Sequence, residues 1–209
     1  MSAPSGAGQV TLRAGLGIVN PDCGLQGTIG LIARDPLDQS LWIVSCCHVL
    51  IRPPDWSGQP AAASEAVEVS GAPGIPCAWT DAVRANASLD CAAARVAGGV
   101  NVDASIAHLG LALAPPANPE PYMQVVKLGA ATGLTRGKVE CVDATGVRIV
   151  IRPGCAGQLT EPGDSGAVWF DEATGAPVAL HRRGNVSGVE FSRSTPISAA
   201  LQSLRLVPA

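Results

Sequence analysis

The chain has 209 residues, enough for one large domain or two small units sharing a core. A hydrophobic fraction of 47% excludes disorder, and a net charge of −3 removes the basic footprint that nucleic-acid binding needs. Seven aromatic side chains (four Trp, two Phe, one Tyr) are too few for a single-strand stacking platform, and no apolar run is long enough for a membrane span.

Met1-Ser2-Ala3-Pro4-Ser5-Gly6 lacks the basic start and apolar stretch of a secretory signal, so a cytoplasmic location is expected. Gly27–Ala33 and Leu41–Leu50 are short apolar runs around the turn-forming Arg34–Gln39, which predicts a hairpin of buried strands. Ala66–Ser70 alternates with period two, and Leu89–Val96 is a further candidate strand whose alanines would also suit a helix. Ala114–Pro121 holds four prolines, which neither a central strand nor a helix tolerates. We therefore expect an N-terminal β half over residues 1–113, a linker at 114–123 and a second β half over 124–209.

The second half repeats the pattern. Gln124–Leu128 is one strand; Lys138–Val142 with Val147–Ile151, and Ala167–Phe170 with Pro177–Leu180, read as hairpins. Thr195-Pro196 followed by Ile197, Leu201 and Leu204 predicts a closing helix, with Thr195 as cap and Pro196 at the first helical position. The seven cysteines are odd in number, and Cys46, Cys91 and Cys141 sit in apolar strand-like runs. Reduced thiols are expected, and without a Cys-x-x-Cys pair a structural zinc site is not.

Gly163-Asp164-Ser165-Gly166 sits between a polar loop and a strand. A serine between glycines in a tight turn can expose its hydroxyl and aim backbone N–H groups at a developing oxyanion; an ordinary turn has the same composition. The hydroxyl needs a base, and His48, His108 and His181 are the three histidines available. The ensemble of Trp42–Leu50 with His48, Leu89–Val96 with Asp90, and Gly163–Gly166 with Ser165 resembles the His…Asp…Ser order of trypsin-like serine peptidases. Gly27-Thr-Ile-Gly30, Val126–Val139 and Val178-Ala-Leu-His181 resemble the compact bacterial branch that includes glutamyl endopeptidases.

That resemblance implies an all-β fold of two antiparallel six-stranded barrels with a C-terminal helix and the site between them. It implies an endopeptidase acting on protein or peptide substrates, without cofactor or metal and with narrow specificity. A nucleic-acid or membrane partner is not expected, and a regulatory protein partner is left open. Ser165 would be the nucleophile, His48 the base and then the acid, and Asp90 the group that orients the imidazole. The N–H groups of Gly163 and Ser165 would form the oxyanion hole, with Asp164 bracing the loop. Asp103 lies in a similar apolar rhythm, but Asp90 has the better spacing from His48. Thr160, His181 and Arg182 would line the specificity pocket, where a protonated histidine would suit an acidic side chain, while Glu190 could reverse the local charge. Gly17-Ile18-Val19-Asn20 resembles a cleaved activation terminus but stands too close to His48 for one. A catalytically silent binding module on the same fold is the alternative. An α/β-hydrolase would run Ser…Asp…His instead.

Overall fold

The computed structural model describes residues 10–51, 64–106, 110, 113–155, 157–184 and 190–209; His108 lies outside them. The first half contributes β1 (Thr11–Leu12), β2 (Gly17–Val19), β3 (Gln26–Thr28), β4 (Leu31–Arg34), β5 (Leu41–Ser45), a helical turn α1 (Cys47–Leu50), β6 (Ala66–Val69), β7 (Pro76–Asn86), β8 (Cys91–Val96) and β9 (Asn101–Val102). The second contributes β10 (Gln124–Gly129), β11 (Gly133–Asp143), β12 (Gly146–Ile151), β13 (Val168–Asp171), β14 (Pro177–Arg183), β15 (Phe191–Pro196), the helix α2 (Ile197–Leu204) and β16 (Val207–Pro208).

β10, β11, β12, β15, β14 and β13 close into a six-stranded antiparallel barrel in that spatial order. The first half is an open sheet ordered β16-β4-β5-β8-β7-β6-β2-β3, beside a parallel β1–β9 pair. Among the described residues the expected second closed barrel is thus a half-barrel, and the C-terminal strand lies on the outer edge of β4.

β5 shows why the apolar runs became strands. Ile43 faces the core of the first half with Ile18, Ile32 and Val67. Trp42 and Val44 face the other way, into a cluster with Val126, Phe170 and Leu180 of the second half and Ile197, Leu201 and Leu204 of α2. A strand buried on both faces reads as a continuous hydrophobic run rather than an alternating one. That shared cluster joins the halves, so the cleft between them has a packed floor.

Several expected elements differ in detail. The Leu41–Leu50 run breaks after Ser45, and Cys46 in extended conformation starts the single turn α1. β7, β15 and the short N-terminal strands had no clear period in sequence; β7 alone leaves Trp79 and Val83 exposed. Thr195 does not cap α2. Pro196 holds the N-cap position, and the Thr195 hydroxyl donates instead to Leu89 O at 2.6 Å. The stretch from 113 to 123 contains no strand or helix. Cys46 and Cys91 are fully buried, whereas Cys141 is only half-buried.

Candidate active site

His48 stands on α1, directly after the β5 strand that the shared core holds in place. Asp90 ends a turn closed by its own N–H to Ala87 O, just before β8, and takes a left-handed backbone angle, φ +50°. β5 and β8 are antiparallel neighbours with Ser45 opposite Ala92. This register brings the two side chains together. Nδ1 of His48 lies 2.8 Å from Asp90 Oδ2 and 3.0 Å from Oδ1, and the His48 backbone N–H also donates to Oδ1 at 3.1 Å. A carboxylate at Nδ1 places the proton there and leaves Nε2 with its lone pair. Asp103, by contrast, accepts from Ser105 N–H at 2.9 Å within its own turn.

Ser165 is set by two consecutive turns. Asp164 N–H donates to Glu161 O and Ala167 N–H to Asp164 O, so Pro162-Gly163 and Ser165-Gly166 occupy the two turn centres. Gly163 at φ +106° and Gly166 at φ +95° adopt angles that disfavour any side chain. At Gly166 space is also lacking, since a Cβ would fall 2.0 Å from Ser45 Oγ. Among the described residues, nothing accepts a hydrogen bond from the N–H of Gly163 or Ser165. The two donors are available to a developing oxyanion.

The two halves meet closely around this turn. Thr28 N–H donates to Ser165 O at 2.8 Å, and Cys46 Sγ donates to His181 O at 3.1 Å. Gly166 N–H donates to the same carbonyl at 2.9 Å. The serine hydroxyl points to Arg182 O at 3.4 Å, and no hydrogen bond joins it to His48. Catalytic hydrogen bonds are commonly long or misaligned until substrate is bound.

Asp164 anchors the turn from beneath. Its carboxylate is fully buried, accepts from Lys127 Nζ at 2.7 Å and Thr132 Oγ1 at 2.6 Å, and takes the N–H groups of Ala131 and Thr132 at 3.1 Å each. Burial pushes its pKa up, but the Lys127 charge and these hydrogen bonds more than offset that, and the carboxyl titrates below its ordinary value. Lys127 Nζ also donates to Thr132 Oγ1 at 2.9 Å and sits 5.4 Å from the centre of the Trp169 ring. Sequence reasoning missed Lys127, although one lysine inside the apolar strand Gln124–Leu128 was the available signal. Gly17–Val19 is no chain terminus in this fold. It is the internal strand β2, paired on both sides, with Ile18 fully buried.

The expected specificity residues part company. His181 is 2% exposed, and its Nδ1 meets Ser192 Oγ at 2.7 Å; Ser192 accepts from Trp169 Nε1 at 3.0 Å and contacts Ser194 Oγ at 2.9 Å. Burial, with the nearby Lys127 charge, pulls the His181 pKa down to about 3, so the imidazole is neutral rather than the cation expected from sequence. Thr160 packs under Gly184, where any Cβ would overlap its hydroxyl. Arg182 offers its carbonyl to Ser165, while its guanidinium donates to Thr145 O at 2.7 Å in the β11–β12 turn. Glu190 accepts from Leu159 N–H at 2.6 Å on the neighbouring wall.

Cys46, His48 and Asp90 bring three metal-type donor atoms within 4.8 Å of one another. Cys46 Sγ already donates to a carbonyl, and burial holds its thiol far above the ordinary range. Nδ1 of His48 is engaged by Asp90. The set is committed to protein contacts.

No model of a known protein family matches the sequence, and no curated protein sequence does. Solved structures do. The Nocardiopsis protease NAPase superposes with a TM-score of 0.66 at 16% identity, over 96% of this chain and 100% of its own. Cellulomonas bogoriensis chymotrypsin gives 0.65 at 15% identity, over 96% and 99%. A glutamic acid specific serine protease described as using a histidine triad in substrate binding gives 0.61 at 17% identity, over 95% and 100%. The chain has the fold of the bacterial chymotrypsin-like serine proteases.

Proposed function

We propose that the protein is a serine endopeptidase that cleaves peptide bonds through an acyl-enzyme. The observation that carries this reading is the His48–Asp90 pair set beside a glycine-framed Ser165 whose turn offers two N–H donors with no acceptor among the described residues. On binding, Ser165 Oγ rotates from Arg182 O towards His48 Nε2, which takes its proton as the oxygen attacks the carbonyl carbon. Asp90 holds the tautomer and stabilises the imidazolium, and the N–H groups of Gly163 and Ser165 receive the oxyanion. The imidazolium then protonates the departing amine, and water repeats the sequence to release the acid.

The residue before the scissile bond enters between Thr160 and His181. With His181 neutral and the Arg182 guanidinium held at Thr145, recognition there rests on hydrogen bonding rather than on a buried cation. Glutamate and glutamine at that position are therefore expected to be cleaved at rates within about tenfold of each other, and arginine more slowly. The solved glutamic acid specific protease supports an acceptor-bearing side chain. A reducing compartment is the proposed setting, on the odd number of cysteines and the apolar runs that hold Cys46 and Cys91.

The Ser165 hydroxyl, directed at Arg182 O, favours a second reading, a silent binding module of the same fold. A fluorophosphonate probe separates the two. Labelling at Ser165, lost in Ser165→Ala and His48→Ala, together with peptide-library cleavage that Ser165→Ala abolishes, is the expected result. An unlabelled serine in folded protein would establish the silent module.

A further inference from the structure

Thr28 ends β3, fully buried where the first half meets the serine turn, and all three of its polar groups are hydrogen-bonded. Its N–H donates to Ser165 O at 2.8 Å, and its Oγ1 donates to Gly163 O at 2.7 Å. Oγ1 in turn accepts from Ala130 N–H at 3.0 Å, and the Thr28 carbonyl accepts from Ser45 Oγ at 2.8 Å. A hydroxyl has one proton to give. The Ala130 N–H occupies a lone pair, so that proton is directed at Gly163 O. Gly166 permits the approach, since a Cβ there would fall 2.5 Å from Thr28 O.

The peptide group between Gly163 and Asp164 separates the two oxyanion donors, and it is held at both ends. Its carbonyl accepts from Thr28 Oγ1, and its N–H donates to Glu161 O at 3.0 Å. The peptide group before it has no such ties: among the described residues, Pro162 O accepts no hydrogen bond and the Gly163 N–H finds no acceptor. At φ +106°, Gly163 has no Cβ to resist rotation of that untied peptide.

We propose that Thr28 is a positioning residue for the oxyanion hole: its hydroxyl holds Gly163 so that the N–H groups of Gly163 and Ser165 converge on one point. The inference rests on the peptidase reading and deepens it. Thr28 lies in the first half, Gly163 and Ala130 in the second, so the hole takes its shape only where the halves meet. The hydroxyl never touches substrate. Its effect is felt when negative charge develops on the carbonyl oxygen, so its loss lowers kcat and leaves KM almost unchanged.

The test compares Thr28→Val, which has nearly the same shape and no hydroxyl, with Thr28→Ser, which keeps the hydroxyl and loses a methyl. A p-nitroanilide of the best-cleaved library peptide gives kcat and KM. The matching peptide aldehyde, to whose carbon Ser165 Oγ adds so that the aldehyde oxygen takes the oxyanion position, gives an inhibition constant. Removing an oxyanion donor outright costs about 10²–10³ in kcat, so Thr28→Val should lose about ten- to hundredfold, with KM within about threefold. Its affinity for the aldehyde should fall in parallel. Thr28→Ser should restore both to within about threefold of wild type. Thr28→Cys, whose thiol is a weak donor, should fall between the two and carries the comparison if Thr28→Val does not fold. Full kcat in folded Thr28→Val, or in Thr28→Cys, overturns the positioning role alone, as does a loss that Thr28→Ser shares equally. Wild-type protein that neither cleaves any library peptide nor reacts with a fluorophosphonate overturns the peptidase reading and the inference with it.

Discussion

Asp90 holds an uncommon left-handed backbone angle and presents both carboxylate oxygens to His48. Strain of this kind persists where surrounding contacts over-determine it. Here the flanking Leu89 is tied by its N–H to Asn86 and by its carbonyl to Thr195. Asp90→Asn should keep the fold and reduce turnover about 10⁴-fold, because an amide no longer selects the Nδ1–H tautomer. Asp103→Asn should leave kcat/KM within a factor of about three, and steady-state kinetics on one peptide checks both. Beneath the serine turn, Lys127→Met would strand the Asp164 carboxylate without its cation. Removing one partner of a buried pair costs about 3–5 kcal/mol, readable as a lower urea midpoint. The acid response has one sign throughout. Below pH 6.5 the unfolded chain protonates His181 while the folded imidazole stays neutral to about 3; below 3.8 the unfolded Asp164 takes a proton that the folded carboxylate refuses. Stability should fall steadily on acidification from about pH 6.5, and His181→Gln should flatten the upper part of that slope in urea midpoints measured against pH.

At the scale of elements, the C-terminal segment ties the two halves together. α2 buries Ile197, Leu201 and Leu204 in the shared cluster, ends at Arg205 in a left-handed cap, and leads into β16 on the edge of β4. Arg84 of β7 fastens this arrangement. Its guanidinium donates to Leu204 O at 2.5 Å and Arg205 O at 2.9 Å, pairs with Asp35, and lies 5.2 Å over the Trp42 ring. Three structural units thus share one fork-shaped donor. Arg84→Ala should destabilise the protein by about 2 kcal/mol, and Arg84→Lys should recover only part, because a point charge cannot reach all three acceptors. Chemical denaturation of the two variants measures it, and equal midpoints for Ala and wild type would refute the clasp.

For the whole molecule, the covalent state of the cysteines bears on where the protein works. The denatured chain should titrate seven thiols without added reductant, and reductant should leave the melting temperature unchanged. In the native protein Cys46 and Cys91 should react slowest. Both are fully buried, and burial pushes the Cys91 thiol up to about 12, so little thiolate is present to attack a reagent. Paired cysteines in a non-reducing mass spectrum, with a large loss of stability on reduction, would overturn the reducing-compartment reading.

The apolar runs around His48, Asp90 and the glycine-framed Ser165 were legible one at a time in the sequence, because buried strands and tight turns are dictated by local composition. The all-β class and the closing helix followed from those local signals, whereas the preference for Asp90 over Asp103 rested on its spacing from His48 within the resemblance to serine peptidases. Lys127 was not legible as the partner of Asp164, since an ion pair between residues 37 positions apart depends on which way each strand faces. Nor was the charge of His181. An isolated histidine titrates near neutrality, and only enclosure among Trp169, Ser192 and the neighbouring Lys127 makes its neutral form the stable one. Arg182 shows the same division: its place in the chain put it beside the serine, but the fold sent its guanidinium to Thr145. Local sequence determined the elements and the candidate site residues, while tertiary packing decided their charges and partners, because solvation and distance are properties of the assembled interior.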